Sequence, residues 1–342
     1  GVERVVAVGD IHGDYDNFVA VLRDAGIING RGNWIAGNTH FVQMGDLPDR
    51  GPDTDKVIAL TRKLERQARL AGGMVHALIG NHEAMNMLGD LRYVHPGEYA
   101  ALKSRQAWQL RDDYYRRVLE YLRETLPDQE IGNDHRQRWN QQFPLGYVEH
   151  RLAWAANGDI GSWVAEHNTI IRINRTLFVH AGISPEVLGR SLAEINEQIS
   201  DELKKGVTGA ASLNESEQGP LWYRGLATND EVAEAPHVEA LLAFYDADRI
   251  VVGHTPGYGT IMPRFGGKVL VIDTGISDFY GAHLASLVME GERIHNRQRG
   301  TLLAIPTGDT ELLPYLRSAA ALEPEAAALQ HLLTRLSTAS PE

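Results

Sequence analysis

Apolar positions in the first ninety residues alternate between two periods. Val5-Val6-Ala7-Val8 is a short β-branched run that stops at Gly9. Phe18, Val21, Leu22 and Ala25 follow at helical spacing, which predicts a helix over residues 14–25 with Asp14 as its cap. The pair of signals then recurs. Residues 39–44 read as a second strand ending at Gly45. Residues 54–71 read as a helix with Val57, Ile58, Leu60, Leu64 and Ala68 turned inward. Residues 74–79 read as a third strand ending at Gly80. Repeated strand, loop and helix predict an α/β fold with parallel strands whose carboxyl-terminal loops carry function.

Residues 97–163 follow a different pattern, rich in Arg, Tyr, Trp, Glu and Gln. Residues 98–126 read as one long helix, Pro127 and Gly132 punctuate it, and Pro144-Leu145-Gly146 marks a turn. This segment is expected to be a helical insertion over the core, its aromatic residues packing helices together rather than lining a cleft. Strand patterns return at 169–173, 177–179, 250–252, 269–272 and 284–289. Helices are expected at 192–204 and 231–245, and residues 206–219 form a polar loop of small residues. Residues 310–336 are rich in Ala and Leu and read as helical, with breaks at Pro314 and Pro324. The resulting division is a domain over 1–309 and a helical tail over 310–342.

Composition narrows the classes. With 342 residues, 43% hydrophobic and 23% charged, the chain has material for a sizeable core. A net charge of −12 argues against a nucleic-acid binder or an anionic-membrane binder, both of which need a basic footprint. No apolar run reaches the roughly 18 residues of a membrane span. The chain has no cysteine, which excludes disulfides, zinc–thiolate sites, iron–sulfur clusters and cysteine-based phosphatase chemistry. The missing thiols, and a strand set directly at the first residues, favour a periplasmic or secreted chain whose leader has been removed; the alternative is cytoplasmic.

Five blocks, each at the end of an apolar run, carry the candidate chemistry. They are Gly9-Asp10-Ile11-His12-Gly13, Gly45-Asp46-Leu47-Pro48-Asp49-Arg50-Gly51, Gly80-Asn81-His82-Glu83, His180-Ala181-Gly182 and Gly253-His254. Singly, each is ordinarily a turn with a solvated side chain. Together they supply carboxylate, amide oxygen and imidazole, and one arrangement uses them all. Asp10, His12 and Asp46 hold a first ion; Asp46, as a bridge, holds a second with Asn81, His180 and His254. Two such ions about 3.5–4 Å apart clamp the attacking and leaving oxygens of a phosphoryl displacement, with a metal-bridging hydroxide attacking phosphorus directly. Mixed nitrogen and oxygen donors without thiolate point to two divalent ions, manganese foremost and iron or zinc as alternatives, rather than magnesium or calcium.

The same series of blocks resembles the metal-dependent phosphoprotein phosphatase (PPP) family of calcineurin-like metallophosphoesterases. The stretch Ala84-Met85-Asn86-Met87-Leu88-Gly89-Asp90-Leu91-Arg92-Tyr93-Val94 and Gly219-Pro220-Leu221-Trp222-Tyr223-Arg224-Gly225 are similar to its bacterial Shewanella-like branch. The resemblance implies a four-layer α/β/β/α sandwich. It also implies Arg50 and Arg224 as phosphate-binding residues, with His82 as general acid oriented by Asp49. Two departures stand out. Pro48 lies where many relatives carry Val or Leu, and Asp273-Thr274-Gly275-Ile276-Ser277 replaces the toxin-sensing loop of the eukaryotic members. The expected activity is a phosphomonoesterase acting on a phosphoprotein, a phosphopeptide or a small phosphomonoester, with phosphotyrosine and phosphoserine/threonine both open. The alternative is a nucleotide or dinucleoside polyphosphate hydrolase of the same fold, against which Glu83 and the Asp49-Arg50 pair count. A metal-binding scaffold without activity is the third reading.

Overall fold

Alternation along the first strand, β1 (Arg4–Val8), sorts the molecule into layers. Val5 and Ala7 enter one buried cluster and Val6 and Val8 another, because successive side chains leave a strand on opposite faces. The computed structural model describes residues 1–126, 132 and 134–339. After β1 come α1 (Tyr15–Asp24), β2 (His40–Gln43), α2 (Thr54–Leu70), β3 (Met74–Ala77) and α3 (Asn81–Leu88). The insertion follows as α4 (Pro96–Leu102), α5 (Ala107–Thr125), α6 (His135–Gln142), α7 (Tyr147–Trp154) and α8 (Asp159–Val164). The second half runs β4 (Ile170–Ile173), β5 (Thr176–Val179), α9 (Leu192–Lys205), α10 (Gly225–Thr228), α11 (Glu231–Phe244), β6 (Arg249–Val252), β7 (Met262–Arg264), β8 (Val269–Val271), β9 (Ala285–Glu290), β10 (Arg293–Gln298) and β11 (Thr301–Ala304). Helices α12 (Asp309–Leu322) and α13 (Ala327–Ala339) close it.

The strands form a six-stranded sheet, β11-β10-β9-β1-β2-β3, and a five-stranded sheet, β4-β5-β6-β8-β7. Within them β1, β2 and β3 run parallel, as do β5, β6 and β8. The sheets face each other across one core that joins Val5, Ala7 and Val42 to Phe178, Val251 and Leu270. Phe18 and Leu22 of α1, with Val57 and Leu64 of α2, cover the outer face of the first sheet. Ile195 and Ile199 of α9, with Val238 and Leu241 of α11, pack against the second. This is the four-layer α/β/β/α sandwich. Leu316 and Ala319 of α12 are buried in the same core. Among the described residues no helix is long and apolar enough to cross a membrane.

Several elements depart from the sequence pattern. The helix expected over 98–126 is two. Ser104 sits between them, its N–H and hydroxyl both donating to Glu149 at 3.0 and 2.7 Å, and such local side-chain bonding competes with helix continuation. The first of the two has its own start. Pro96 stands at its opening, and Glu98 accepts the His95 N–H in a capping box. Pro127 lies outside the described residues. Pro314 lies inside α12 without ending it. The chain breaks instead before Pro324, where Glu323 leaves helical geometry. Strand β10 has little apolar signal because, of its inward residues, only Ile294 is apolar. Asn296 and Gln298 are fully buried and bond to Thr260 and to each other, and Asn296 also to Tyr315. In the insertion, Trp139, Phe143, Tyr114 and Tyr147 pack ring on ring between helices, with Trp139 and Phe143 centroids 4.2 Å apart.

Candidate metal centre and active site

The loops leaving β1, β2, β5 and β6 and the amino end of α3 converge at one end of the sandwich. Their backbone is unusual. His12, Asp46, Asp49, Arg50 and His254 have φ of 52, 57, 73, 68 and 64°, the left-handed region that non-glycine residues rarely adopt. Strained residues gathered in one place mark a site whose geometry matters more than its local stability. Two glycines permit the convergence. Gly45 has φ 97°, and a Cβ on Gly80 would lie 2.2 Å from Asp46 Oδ1.

Asp46 is central. Its Oδ2 lies 3.5 Å from His180 Nε2, 3.9 Å from His82 Nε2 and 4.0 Å from His12 Nε2. Asp10 Oδ2 lies 3.8 Å from His12 Nε2. Asn81 Oδ1 lies 3.0 Å from His180 Nε2, and the His254 N–H donates to Asp10 Oδ1 at 3.1 Å. In each of two overlapping groups, His12–Asp46–His82 and Asp46–His180–His254, the donor atoms all lie within 4.8 Å of one another. The six ligands proposed from sequence are therefore brought together, with Asp46 common to both groups. His82 joins one group by distance, although its other nitrogen is engaged elsewhere.

The residues fit a divalent cation on their own terms. Asp10 Oδ2 and His254 Nε2 are buried without a hydrogen-bond partner, an arrangement that costs free energy unless something completes it. The His180 ring is held by the Met44 carbonyl facing Nδ1 at 2.7 Å, and the His12 ring by the Pro48 carbonyl at 3.3 Å, which leaves each Nε2 aimed at Asp46. Pro48 thus serves through its C=O, so its missing N–H removes nothing the His12 ring uses. Charge tells the same story. Burial, then Asp273 and Asp46, push the Asp10 carboxyl well up, and burial raises Asp273 to about 7. Burial would raise Asp46 too, but the His180 and His82 imidazoles hold it well down. Burial depresses His12 to about 3 and pushes His254 well down, so both rings are neutral and ready to donate a lone pair. Buried acids in excess, facing neutral imidazoles, are a set that a cation completes.

Beside the ligands stands the His82–Asp49 pair. Asp49 Oδ2 meets His82 Nδ1 at 2.5 Å, and Asp49 Oδ1 accepts from Asn86 Nδ2 at 3.0 Å. Burial lowers the His82 pKa, but Asp46 and Asp49 raise it overall. Glu83 holds no ligand position. Its carboxylate accepts the backbone N–H groups of Asp46, Leu47 and Gly80 at 2.9, 2.7 and 2.8 Å, which ties the second block to the third. Arg50 lies between two rings, its guanidinium carbon 3.9 Å from the Tyr93 centroid and 4.7 Å from that of Phe279. Arg224 Nη1 donates to the His254 carbonyl and to Thr255 Oγ1 at 2.9 and 3.0 Å. The charge of Arg50 bears on His12 and that of Arg224 on His254, so each arginine lies near one of the two ligand groups.

Sequence reasoning missed Asp273, Asn86, Tyr93 and Trp222 as site residues. Asp273 follows the apolar run Val269–Val271 of β8 as the other acids follow theirs, but without a preceding glycine. Asn86 stands one helical turn after His82, where i,i+4 spacing places both on one face.

Residues 3–258 match the family model described as calcineurin-like phosphoesterase. The chain belongs to the calcineurin-like phosphoesterase family. It is 34% identical over 295 residues to an uncharacterized protein of Schizosaccharomyces pombe, covering 83% of this chain and 76% of that one. It is 29% identical to Shewanella-like protein phosphatase 2 of Arabidopsis thaliana, covering 80% of this chain and 72% of that one. Among solved structures, the cold-active protein-tyrosine phosphatase of a psychrophilic Shewanella species superposes with a TM-score of 0.67 at 31% identity, over 89% of this chain and 80% of that one. As a calcineurin-like phosphoesterase with Shewanella-like phosphatase relatives, this protein is a metal-dependent phosphoric ester hydrolase.

Proposed function

We propose that this calcineurin-like phosphoesterase is a two-metal protein phosphatase that acts on phosphotyrosine. The observation that carries the reading is a cavity of about 370 Å³ with Met85, Leu88, Tyr93 and Trp222 on one side and Asp90, Arg92, Asn214, Glu215 and Glu217 completing its wall. Tyr93 packs against both His82 and Arg50, with ring centroids 5.2 Å apart for the first pair. Trp222 packs edge-on to His254 at 5.7 Å. Two of the cavity's walls thus touch the acid residue and the ligand cluster, and its aromatic and thioether side suits a phenyl ring better than the short alkyl stem of phosphoserine. The tyrosine phosphatase among its structural relatives supports the same substrate.

When bound, two divalent ions, one held by Asp10, His12 and Asp46 and the other by Asp46, Asn81, His180 and His254, supply Lewis acidity for the phosphoryl oxygens and for the attacking water. Arg50 and Arg224 neutralise the charge that develops on the non-bridging oxygens. His82 hands its Nε2 proton to the departing phenolate, and Asp49 fixes the ring and favours its protonated form. The test is turnover by manganese-loaded protein of matched phosphotyrosyl and phosphoseryl peptides, p-nitrophenyl phosphate and dinucleoside polyphosphates. The phosphotyrosyl peptide should have the highest kcat/KM. Preference for dinucleoside polyphosphates would overturn the protein-phosphatase reading, and preference for phosphoserine would overturn the role given to the cavity.

A further inference from the structure

The helical insertion is built into the acid end of the site at two points. Glu98, the third residue of α4, is buried, and its Oε1 accepts the backbone N–H of Asp49 at 3.1 Å and that of His95 at 3.3 Å. Arg151, on α7, donates to the carbonyl oxygens of Asn86 and Met87. Those carbonyls lie at the end of α3, whose first turn carries Asn81 and His82. Asn86 in turn donates from Nδ2 to Asp49 Oδ1 and to the His82 carbonyl, at 3.0 and 2.9 Å. One insertion helix thus grips the loop that bears Asp49, and another grips the helix that bears His82.

The grip on Asp49 is the one its backbone needs. Asp49 and Arg50 are consecutive left-handed residues, a conformation that persists only where surrounding bonds hold it. Two bonds do so. The Arg50 N–H goes to the Tyr93 carbonyl at 3.0 Å, and the Asp49 N–H goes to Glu98. Remove the acceptor and a buried N–H is orphaned, which favours rotation of that peptide and, with it, displacement of the Asp49 carboxylate from His82. Burial, then the Asp49 charge, hold the Glu98 carboxyl up at about 8. Neutral at pH 7, it accepts the N–H without setting a second negative charge beside Asp49. Its Oε2 has no hydrogen-bond partner, and neither does the ring of the fully buried His150, whose Nε2 lies 4.0 Å away.

We propose that Glu98 is a positioning residue for the general acid: through the Asp49 N–H it sets the orientation of the Asp49–His82 pair, which makes the insertion part of the catalytic apparatus. This rests on the phosphatase reading above. The distinguishing readout is the leaving group, because a general acid matters most where the departing oxygen is a poor one. Manganese-loaded wild type, Glu98→Ala and Glu98→Gln are compared on p-nitrophenyl phosphate and on phenyl phosphate, with far-ultraviolet circular dichroism and metal content checked for each. Glu98→Ala should lose about tenfold or more in kcat on phenyl phosphate and less than about threefold on p-nitrophenyl phosphate. Glu98→Gln, whose amide oxygen can accept the same two N–H groups, should stay within about twofold of wild type on both. Should Glu98→Ala fail to fold, Glu98→Asp withdraws the acceptor by one methylene and carries the same comparison. Equal losses on the two substrates, or wild-type rates in the Ala or Asp variant, would overturn the proposal. Absence of phosphomonoester turnover in the wild type would overturn the phosphatase reading instead.

Discussion

His82 and Asp46 lie within 4 Å of each other, yet the roles proposed for them predict different outcomes of substitution. Asp46→Asn removes the charge shared by both ligand groups, so bound manganese and turnover should be lost together, as read by elemental analysis and p-nitrophenyl phosphate assay. His82→Ala should keep its metal and lose about a hundredfold on phenyl phosphate, with a smaller loss on p-nitrophenyl phosphate. A His82→Ala protein stripped of metal would reassign His82 to the ligands. The same contrast shows what was legible residue by residue. Asp10, His12, Asp46, Asn81, His180 and His254 could be picked out because each is a donor side chain placed where a strand stops. Asn86 and Glu98 could not, because their importance comes from what burial places beside them; Asp273 also follows a strand but lacks the glycine that precedes Asp10 and Asp46. An asparagine inside a helix or a glutamate in a charged segment carries no mark of its partner.

At the scale of elements, α4 illustrates both the reach and the limit of periodicity. Helical character over the insertion was readable, but the interruption at Ser104 depends on Glu149, 45 residues away. The first turn of α4 also makes stability depend on pH. Glu98 has an ordinary value of 4.5 and is held at about 8 in the fold. The folded chain therefore binds more protons than the unfolded chain between those values. Stability from this group is complete below the lower value and is lost as pH rises through the upper one. Urea midpoints of wild type and Glu98→Gln, measured from pH 5 to 9, should diverge, with the variant gaining relative to wild type as pH increases. Parallel curves would mean that Glu98 is ionised throughout. The missed strand β10 makes a related point. Its inward Asn296 and Gln298 satisfy one another and Thr260, so the strand is buried without being apolar, and a pattern of apolar positions passes over it.

For the molecule as a whole, the candidate ligands come from both sheets. Asp10, His12, Asp46 and Asn81 leave the strands of the first, and His180 and His254 leave those of the second. Ions held there would fasten the two halves of the sandwich at one end, in addition to the shared core. Because a ligand that binds only the folded state stabilises it by about 2.7 kcal/mol at a hundred times its dissociation constant, chelation should lower Tm, and added manganese should restore it. Differential scanning calorimetry with and without EDTA reads this directly, and an unchanged Tm would argue against a site built across the sheets. The layered architecture was accessible from sequence through the family resemblance, and the parallel strands through periodicity alone. The seating of α12 in the common core was not, because Leu316 and Ala319 look like any amphipathic helix until their partners are known.

The pairing of β1 with β9 has a consequence for synthesis. Val5 bonds alongside Met289 and Ala7 alongside Leu287, so the strand that carries the first two ligands takes its antiparallel neighbour from the far end of the chain. Such sequence separation slows folding, and domains made on the ribosome fold as units once their segments have emerged. A nascent chain in which β9 has not yet emerged leaves one edge of β1 unpaired, with β2 as its partner on the other side.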